Sequence, residues 1–302
     1  MPRILVTGVS RPLGPALAAR LAAEPEVEQV IGVDVAPPRE PVPGVKFVRA
    51  DIRTSAIGGV IDAEGVETVV HLGGLSGPAR AGAGREVAVI GTMQLLAAAG
   101  RTASLRAFVL QSSTAVYGAG PNDPALATEE TPLPAVASGR ARDAAEIEKY
   151  VDGLAQRRPE LRVCVLRLAP LAGPTARTPL ARYLRRTFLP TVLGYDPRVQ
   201  LLHENDAAEA LLRAALSDAA GTYNVAGDGA LYLSQAARRL GRLALPMPPV
   251  ALPWFLGRVD LPLGLLRYGR VVDTSRIKKE LGFVPAYSTA AALEILGGAG
   301  DD

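Results

Sequence analysis

Short apolar runs alternate with segments of helical spacing through residues 4–111. The runs at 4–6, 30–33, 45–48, 67–72 and 107–111 have the length of buried strands, whereas 15–23 and 85–99 place apolar residues at helical intervals. Strands that alternate with helices of this length form right-handed βαβ units in a parallel sheet. The pattern predicts a doubly wound α/β fold whose ligand binds at the carboxyl ends of the strands.

The turn between the first strand and the first helix has a glycine at each end and none in the middle. Gly8 permits a tight turn, and the helix that follows offers unpaired N–H groups and a positive dipole end to a pyrophosphate. Arg11 or Pro12 stands where a middle glycine normally lets the backbone approach a phosphate. Arg11 either narrows that approach or supplies a cation to the phosphates, and a plain strand–helix turn is the alternative. The turn residues predicted to contact a dinucleotide are Gly8, Ser10, Arg11, Pro12, Leu13 and Gly14.

An acidic residue, Asp34, ends the second predicted strand. A carboxylate at this place accepts hydrogen bonds from both hydroxyls of an adenosine ribose and repels a 2′-phosphate. Asp34 therefore favours NAD over NADP, although Arg39 lies close enough in sequence to weaken the preference. If Arg11 and Pro12 block the phosphates, the site binds no cofactor.

Composition narrows the class of protein. The 302 residues are 48% hydrophobic and 21% charged, with a net charge of +3 and dispersed arginines, so we expect no nucleic-acid partner. Cys164 lies in an apolar run, which indicates a buried thiol in a reducing, cytoplasmic compartment. One cysteine and two histidines are too few for an ordinary zinc site, so no metal is predicted. The apolar stretch 246–266 contains five prolines, Arg258 and Asp260, which predicts a folded segment and no membrane partner.

A series of motifs runs in order along the chain. They are Thr7-Gly8…Gly14, Asp34, Asp51-Ile52, His71-Leu72-Gly73, Gly91-Thr92, Ser112-Ser113…Tyr117-Gly118, Leu166-Arg167…Pro170, His203…Asp206, Thr222…Val225 and Lys279…Pro285. In this order the chain resembles the extended short-chain dehydrogenase/reductases, which are the NAD-dependent epimerases and dehydratases. The likeness covers nearly the whole chain.

This resemblance implies a Rossmann-type parallel sheet with a smaller C-terminal substrate lobe. It implies a dinucleotide-binding domain at 1–169, to which strands near 200–203 and 221–226 return, a substrate lobe formed by 170–200 and 228–298, and a tail at 299–302. It also implies NAD as the cofactor and a small-molecule substrate. Relatives often pair through helices that correspond to 85–99 and 140–156, which makes these helices a candidate homodimer surface. The cofactor-binding residues that the resemblance adds are Asp51, Ile52, Leu72, Gly73 and Pro170.

The family's reaction uses a tyrosine, a lysine four residues later, a serine or threonine, and an asparagine. Ser113 stands at the hydroxyl position, but Ala88 stands at the asparagine position. Tyr117 belongs to a segment that is usually structural in relatives, and Tyr150 falls about two helical turns too late. Neither tyrosine has a lysine four residues on.

No register of the predicted catalytic helix restores the tyrosine–lysine pair. One register places Arg140 and Ala144 at the two positions, and another places Ser138 and Arg142 there. A positioned acid–base group typically contributes ~10²–10⁴ in rate. The missing pair therefore predicts a protein without the standard chemistry.

Three hypotheses remain open. The favoured one is a family member that binds a dinucleotide, has lost tyrosine–lysine catalysis, and serves as a ligand-binding or regulatory protein. The second is an active oxidoreductase or epimerase on a nucleotide-sugar or similar molecule, with Ser113 as a remnant and Tyr117, Arg140 or Arg142 as a non-standard catalytic group. The third is a structural protein whose cofactor site is blocked.

Two further segments have alternative interpretations. The spacing of the arginines 177, 182, 185 and 186 would place several of them on one helical face, where they either clamp a diphosphate or face solvent. The aromatic residues of 246–272 pack into the core by default, and an apolar pocket or a dimer surface is the alternative. Arg270 to Thr274 loosely resembles a segment that contacts substrate in some epimerases.

Overall fold

The computed structural model describes residues 1–72, 86–134, 139–256 and 261–298. The predicted cofactor residue Gly73, the candidate Ser138 and the tail 299–302 lie outside the described residues. So does residue 85, the first of the helix predicted at 85–99.

Strands of the first half are short, apolar and buried. The strands are β1 (Arg3–Thr7), β2 (Gln29–Asp34), β3 (Val45–Arg49), β4 (Thr68–His71), β5 (Ala107–Ser113), β6 (Arg162–Leu168), β7 (Leu171–Ala172), β8 (Phe188–Val192), β9 (Arg198–Val199), β10 (Leu202–His203), β11 (Gly221–Val225), β12 (Leu231–Tyr232) and β13 (Leu243–Met247). Seven of them form one sheet in the order β11-β6-β5-β4-β1-β2-β3. In the parallel register, Leu5 of β1 lies between Ile31 of β2 and Val69 of β4. The predicted doubly wound α/β fold is confirmed.

Helices connect these strands. They are α1 (Gly14–Ala23), α2 (Ala56–Ala63), α3 (Gly91–Ala99), α4 (Gly139–Arg157), α5 (Pro179–Leu184), α6 (Glu204–Leu216), α7 (Leu233–Arg239), α8 (Leu252–Leu256), α9 (Leu263–Tyr268), α10 (Ser275–Glu280) and α11 (Thr289–Gly298). A π-helical turn, Glu86–Ile90, precedes α3, so the predicted helix at 85–99 has two parts. Across the described ranges, every helix is too short or too polar to cross a bilayer.

The chain divides into two compact units. Unit 1 contains Met1–Ser113, Ser138–Arg167 and Ala208–Tyr223. Its core is built from the apolar faces of the central strands and of α2, α3 and α4, with Leu5 and Phe108 fully buried. Five strands of the large sheet, β1 to β5, end within this unit, and β6 and β11 cross its boundary. Unit 1 therefore carries most of the strand ends at which ligands bind in this fold class.

Unit 2 contains Thr114–Ala137, Leu168–Ala207 and Asn224–Asp302. Over its described residues, the strands of unit 2 form three small sheets, which pair β7 with β10, β9 with β12, and β8 with β13. The observed units differ from the predicted domain boundaries in two places. The strand near 200–203 pairs with β7 and does not return to the large sheet, whereas β11 does. Residues that follow β5 belong to unit 2, because Ala127 bridges to Val272 there.

The apolar segment at 246–272 does not pack wholly into the core of unit 2. Leu252 and Leu256, one turn apart on α8, are buried, but Trp254 is 88% exposed and Phe255 is 50% exposed. A helix of one turn and a half buries only one face. The default prediction of core packing is therefore wrong for these two aromatic residues.

Candidate functional site

Two glycines shape the turn after β1. Gly8 has φ +76°, a conformation that L side chains rarely adopt, and its N–H donates to the Val33 carbonyl at 2.9 Å. At Gly14 a Cβ would lie 2.2 Å from the Val9 carbonyl oxygen. The Gly14 N–H in turn donates to the Arg11 carbonyl at 2.8 Å. Both glycines are therefore needed for the tight strand-to-helix turn that the sequence predicts.

The side chain of Arg11 lies over Gly8. A Cβ built on Gly8 would lie 3.0 Å from Arg11 Cδ and 3.3 Å from Arg11 Nε. Burial lowers the pKa of the Arg11 guanidinium, and the Asp34 carboxylate opposes that shift. In turns of this kind a middle glycine leaves the backbone open to a phosphate. Here the partly buried, positively charged side chain of Arg11 occupies that place.

Few backbone donors of the turn remain for a phosphate. The Ser10 N–H donates to Asp34, the Arg11 N–H donates to the Gly8 carbonyl, and Pro12 has no N–H. Within the described residues, the N–H groups of Leu13 and Ala16 have no acceptor. The turn thus offers two N–H groups to an anion, and the Arg11 side chain lies beside them over Gly8.

Asp34 is held in a fixed orientation at the end of β2. Its Oδ1 accepts from the Val35 N–H at 2.8 Å and its Oδ2 from the Ser10 N–H at 3.3 Å. The Ser10 hydroxyl donates to the Ala36 carbonyl at 2.5 Å. A carboxylate fixed in this way has lone pairs left for the hydroxyls of a ribose.

Asp51 and Ile52 follow β3 and have different surroundings. Asp51 forms an ion pair with Arg53 at 2.6 Å, and hydrogen bonding to Arg53 lowers the pKa of Asp51. Ile52 packs against the start of α3, where a Cβ on Gly91 would lie 2.8 Å from Ile52 Cδ1. Leu72, which follows β4, is 1% exposed, and its N–H donates to the Thr7 carbonyl at 3.1 Å.

A buried polar cluster that the motifs contain, but that we did not predict as a unit, lies beside the turn. His71 Nδ1 is 2.5 Å from the Thr7 hydroxyl, and His71 Nε2 is 2.8 Å from the Thr92 hydroxyl. Thr92 also donates to the Ala88 carbonyl at 2.5 Å. Burial, with a smaller effect of Arg11, lowers the pKa of His71 to about 3, so the imidazole is neutral. The sequence signal for this cluster is a polar residue inside each of two apolar strands, Thr7 and His71, together with Thr92 at the start of α3.

The catalytic positions of the family fall on α4 and on the turn before α3. Ala88 is 3% exposed in the π-helical turn, and Ala144 is 1% exposed on α4. Arg140 lies in the first turn of α4 and is half-buried, and exposed Arg142 lies 3.8 Å from Asp143. The Tyr150 hydroxyl donates to Glu146 at 3.2 Å on the same helix.

Ser113 is half-buried at the carboxyl end of β5, beside a buried ionic cluster. The neighbouring Ser112 donates to Glu148 Oε1 at 2.5 Å, and Arg167 Nη2 donates to Glu148 Oε2 at 2.6 Å. The three residues are each at most 7% exposed. The cluster ties β5, α4 and β6 together next to Ser113 in sequence.

Tyr117 lies in the interior of unit 2. Its hydroxyl donates to Asn224 Oδ1 at 2.7 Å, and the two residues are 3% and 0% exposed. The Asn224 N–H donates to Glu129 at 2.7 Å. This bonding favours a structural role for Tyr117 over the non-standard catalytic role considered from the sequence.

A cavity of about 200 Å³ lies in unit 2. Arg198 and Arg270 line it with Asp123 and Tyr268. Arg270 Nε donates to the Gly118 carbonyl at 2.7 Å, and burial lowers the pKa of Arg270 to about 10. Two guanidinium groups at one cavity make it suited to an anionic ligand.

Two of the other predicted arginines, Arg185 and Arg186, donate hydrogen bonds to backbone carbonyls of unit 2. Arg185 donates to the carbonyls of Ala176, Gly173 and Pro174, and Arg186 donates to the Leu256 carbonyl at 3.0 Å. The helix α5 ends at Leu184, so these two arginines do not share its face. Pro170 follows β6 and its carbonyl accepts from the Leu202 N–H at 3.1 Å.

Comparison with known proteins decides the family. A model of the NAD-dependent epimerase/dehydratase family matches residues 4–226. The chain belongs to this family. An uncharacterised protein of Mycobacterium tuberculosis is 42% identical over 309 residues, which cover 96% of this chain and 82% of that protein. An uncharacterised protein of Sinorhizobium fredii is 33% identical over 204 residues, which cover 61% of this chain and 50% of that protein.

Solved structures of similar fold include enzymes with bound NAD. MoeE5 in complex with UDP-glucuronic acid and NAD has a TM-score of 0.77 at 21% identity and covers 98% of each chain. The dTDP-glucose 4,6-dehydratase of Bacillus anthracis in complex with NAD has a TM-score of 0.75 at 20% identity, over 99% of this chain and 96% of that one. At these identities the likeness shows the fold.

The residues of unit 1 fit the adenosine and phosphate portions of the family's cofactor. Asp34 is oriented for a ribose, and Leu13 and Ala16 offer N–H groups at the start of α1. Arg11 supplies a charge in place of the close backbone approach. This epimerase/dehydratase-family chain thus has a modified form of the dinucleotide turn.

Proposed function

We propose that this protein binds NAD and an anionic small molecule of the nucleotide-sugar class, without the tyrosine–lysine proton transfer of its family. It serves as a ligand-binding or regulatory member of the family. One observation carries the proposal. Along α4, tyrosine occurs only at position 150 and lysine only at 149, and no tyrosine in the whole sequence has a lysine four residues later.

The residues at the two catalytic positions do not replace the missing groups. One register places Ser138 and Arg142 at the two positions, and neither is a tyrosine or a lysine. In the other register Arg140 takes the place of the tyrosine, and an arginine stays protonated in proteins and so does not act as a base. Ala144 takes the place of the lysine and has no polar group. Loss of a factor of ~10²–10⁴ from a typical turnover of ~10 s⁻¹ leaves on the order of 10⁻¹ to 10⁻³ s⁻¹.

The two ligands are supported by different parts of the chain. For NAD, which when bound would supply a hydride acceptor, support comes from Asp34 and from the guanidinium of Arg11 beside the turn. For the anionic molecule, support comes from Arg198 and Arg270 at the cavity of unit 2. The ligands of the similar MoeE5 structure, NAD and UDP-glucuronic acid, have these chemistries.

Specific observations also favour two other candidates. Ser113 at the end of β5 favours an active oxidoreductase or epimerase with a non-standard acid–base group. The Arg11 side chain over Gly8 favours a structural protein whose cofactor site is blocked. The same experiment separates all three.

Purified protein, stripped of nucleotide and refolded, is titrated calorimetrically with NAD, NADH and NADP, and is then assayed with UDP-glucose and UDP-glucuronic acid. We expect micromolar NAD binding and no turnover above the rate of a Ser113→Ala variant. Turnover that disappears in Ser113→Ala would establish the enzyme. The absence of heat at millimolar NAD, from protein shown by circular dichroism to be folded, would establish the blocked site.

A further inference from the structure

The cavity of unit 2 is small for a complete nucleotide-sugar. Its volume of about 200 Å³ lies below the ~300–1,000 Å³ that is typical of sites enclosing a whole drug-sized ligand. Residues between 120 and 125, Arg198 of β9 and residues 268–271 line it, and all of them belong to unit 2. The cavity therefore encloses one ring-sized group of a ligand, and the charges that line it indicate the chemistry of that group.

Arg270 has donors that the protein does not use. Its Nε donates to the Gly118 carbonyl at 2.7 Å, whereas Nη1 and Nη2 donate to no acceptor within the described residues. Neither nitrogen is among the enclosed polar atoms that lack a partner, so both are open to the accessible space that Arg270 lines. Burial lowers the pKa of Arg270 to about 10 while Asp123 opposes the shift, so the guanidinium stays charged at neutral pH. A partly desolvated cation with two unused donors favours an anion with two acceptor atoms.

The backbone fixes Arg270 in place. Gly269 has φ +72°, and a Cβ at this position would clash with the Arg198 carbonyl. The Arg270 N–H donates to the same carbonyl at 3.2 Å, and Val272, two residues further on, bridges to Ala127. With Nε also bonded, the planar end of the side chain is preorganised and loses little entropy when it binds a ligand.

The charged side chains that line the cavity sum to +1, because Arg198 and Arg270 are cations and Asp123 is a carboxylate. A ligand group with a single negative charge balances this sum, whereas the dianion of a phosphate monoester exceeds it. A carboxylate carries one charge and two oxygens in a plane, which match two parallel N–H donors of an arginine. The cavity therefore favours a carboxylate over a phosphate.

The remaining polar groups of the cavity suit hydroxyls. Asp123 accepts from the Gly120 N–H through Oδ2 at 2.6 Å, which leaves Oδ1 as an acceptor. The Tyr268 hydroxyl makes no hydrogen bond to the part of the chain that the structure describes, and Tyr268 is 37% exposed. A group with one carboxylate and several hydroxyls uses both of these side chains together with Arg270.

We propose that this cavity binds the sugar-acid end of the ligand, with the carboxylate on Nη1 and Nη2 of Arg270 and sugar hydroxyls on Asp123 and Tyr268. The inference rests on the proposed function for its site and deepens it, because it assigns the sugar of the anionic ligand to the uronic-acid class. The nucleotide portion lies outside the cavity. Arg270 is then the residue that distinguishes acidic sugars from neutral ones.

Ligands that differ in the acid group test this assignment. The full-length protein is titrated by calorimetry with UDP-glucuronic acid and UDP-glucose, and by ligand-detected NMR with glucuronate, glucose and glucose 6-phosphate. We expect UDP-glucuronic acid to bind about 10- to 100-fold more tightly than UDP-glucose, as for hydrogen bonds to a charged group. Glucuronate should bind more tightly than glucose or glucose 6-phosphate. Equal affinity for the two UDP-sugars would overturn the proposal.

Variants of arginine test which residue carries the preference. Arg270→Met should abolish it, and Arg270→Lys, which keeps the charge without the paired donors, should retain part of it. The matched control is Arg186→Met, because Arg186 is also partly buried and donates to a carbonyl, that of Leu256, but does not line the cavity. Circular dichroism checks that each variant is folded. A preference that persists in Arg270→Met, or that disappears equally in Arg186→Met, would contradict the assignment.

Asp123→Asn tests the charge argument and leaves Arg270 intact. The asparagine oxygen can still accept from the Gly120 N–H, while the charges that line the cavity rise from +1 to +2. The order of affinities among the free sugars should then move from glucuronate toward glucose 6-phosphate. An unchanged order would overturn the assignment of a carboxylate.

The outcomes separate this proposal from the proposed function. If glucuronate binds through Arg270 but neither UDP-sugar binds, the nucleotide-sugar assignment fails and the sugar-acid site stands. If both UDP-sugars bind equally well, the nucleotide-sugar assignment stands and the sugar-acid site fails. If neither a sugar acid nor a UDP-sugar binds, this proposal is overturned, and the titration with NAD still decides the cofactor.

Discussion

Replacing Arg167 by methionine should strongly destabilise unit 1. Arg167 holds the Glu148 carboxylate with its Nη2 at 2.6 Å from Oε2 and its Nε at 3.1 Å from both oxygens. The side chains of Arg167 and Glu148 are only 8% and 6% exposed. Without the guanidinium, the carboxylate keeps the Ser112 hydroxyl as a partner and remains buried. Removing one partner of such a pair costs about 3–5 kcal/mol in free energy of unfolding.

Urea denaturation followed by far-ultraviolet circular dichroism measures this cost. The double variant Arg167→Met/Glu148→Leu should recover most of the loss, because it leaves no unpaired buried charge. The control is Arg213→Met, whose ion pair with Glu209 is 41% and 33% exposed and contributes less than about 1 kcal/mol. A loss below about 1 kcal/mol for Arg167→Met, or strictly additive effects in the double variant, would refute the reasoning.

Three further predictions concern the cofactor end of unit 1. Since burial lowers the pKa of His71 to about 3, the unfolded chain takes up this proton first, near pH 6.5. The stability due to neutral His71 is therefore full above pH 6.5 and falls by about 5 kcal/mol as pH drops toward 3, and urea unfolding of His71→Gln should show a flatter pH profile. Asp34→Ala should lower the calorimetric affinity for NAD more than that for NADP, and equal losses would contradict the ribose assignment. Gly14→Ala should cost about 1–3 kcal/mol in thermal or urea unfolding because its Cβ would meet the Val9 carbonyl at 2.2 Å. Gly59→Ala on α2, where a Cβ meets nothing within 4 Å, should be neutral or stabilising.

The elements of unit 1 could be predicted because each is determined by nearby residues. The apolar run at 4–6 corresponds to the observed strand Arg3–Thr7, and the run at 107–111 corresponds to the strand Ala107–Ser113. A buried parallel strand needs only a short β-branched run, and the glycine turn fixes where the first one ends. The order of the motifs then placed Asp34 and Leu72 at the strand ends.

Side-chain partners across the fold could not be predicted from local pattern. The sequence predicted that several of the arginines 177, 182, 185 and 186 share one helical face, but α5 ends at Leu184, and Arg185 and Arg186 donate to backbone carbonyls instead. In the same way, the spacing of apolar residues in 246–272 does not show which face of a short helix is buried. Leu252 and Leu256 take that face, which leaves Trp254 in solvent. These outcomes depend on contacts between residues far apart in sequence.

Stability and catalysis are separable in unit 1. The buried clusters of His71 and of Glu148 join several elements, and their loss leaves unpaired polar groups that cost several kcal/mol. The two clusters are built from Thr7, His71, Thr92, Ser112, Glu148 and Arg167, and positions 140 and 144 are not among these residues. A chain can therefore have a complete epimerase/dehydratase scaffold without the proton-transfer pair. It follows that folding measurements on Arg167 and His71 variants test the scaffold, while titration with NAD and assays of Ser113→Ala test the function.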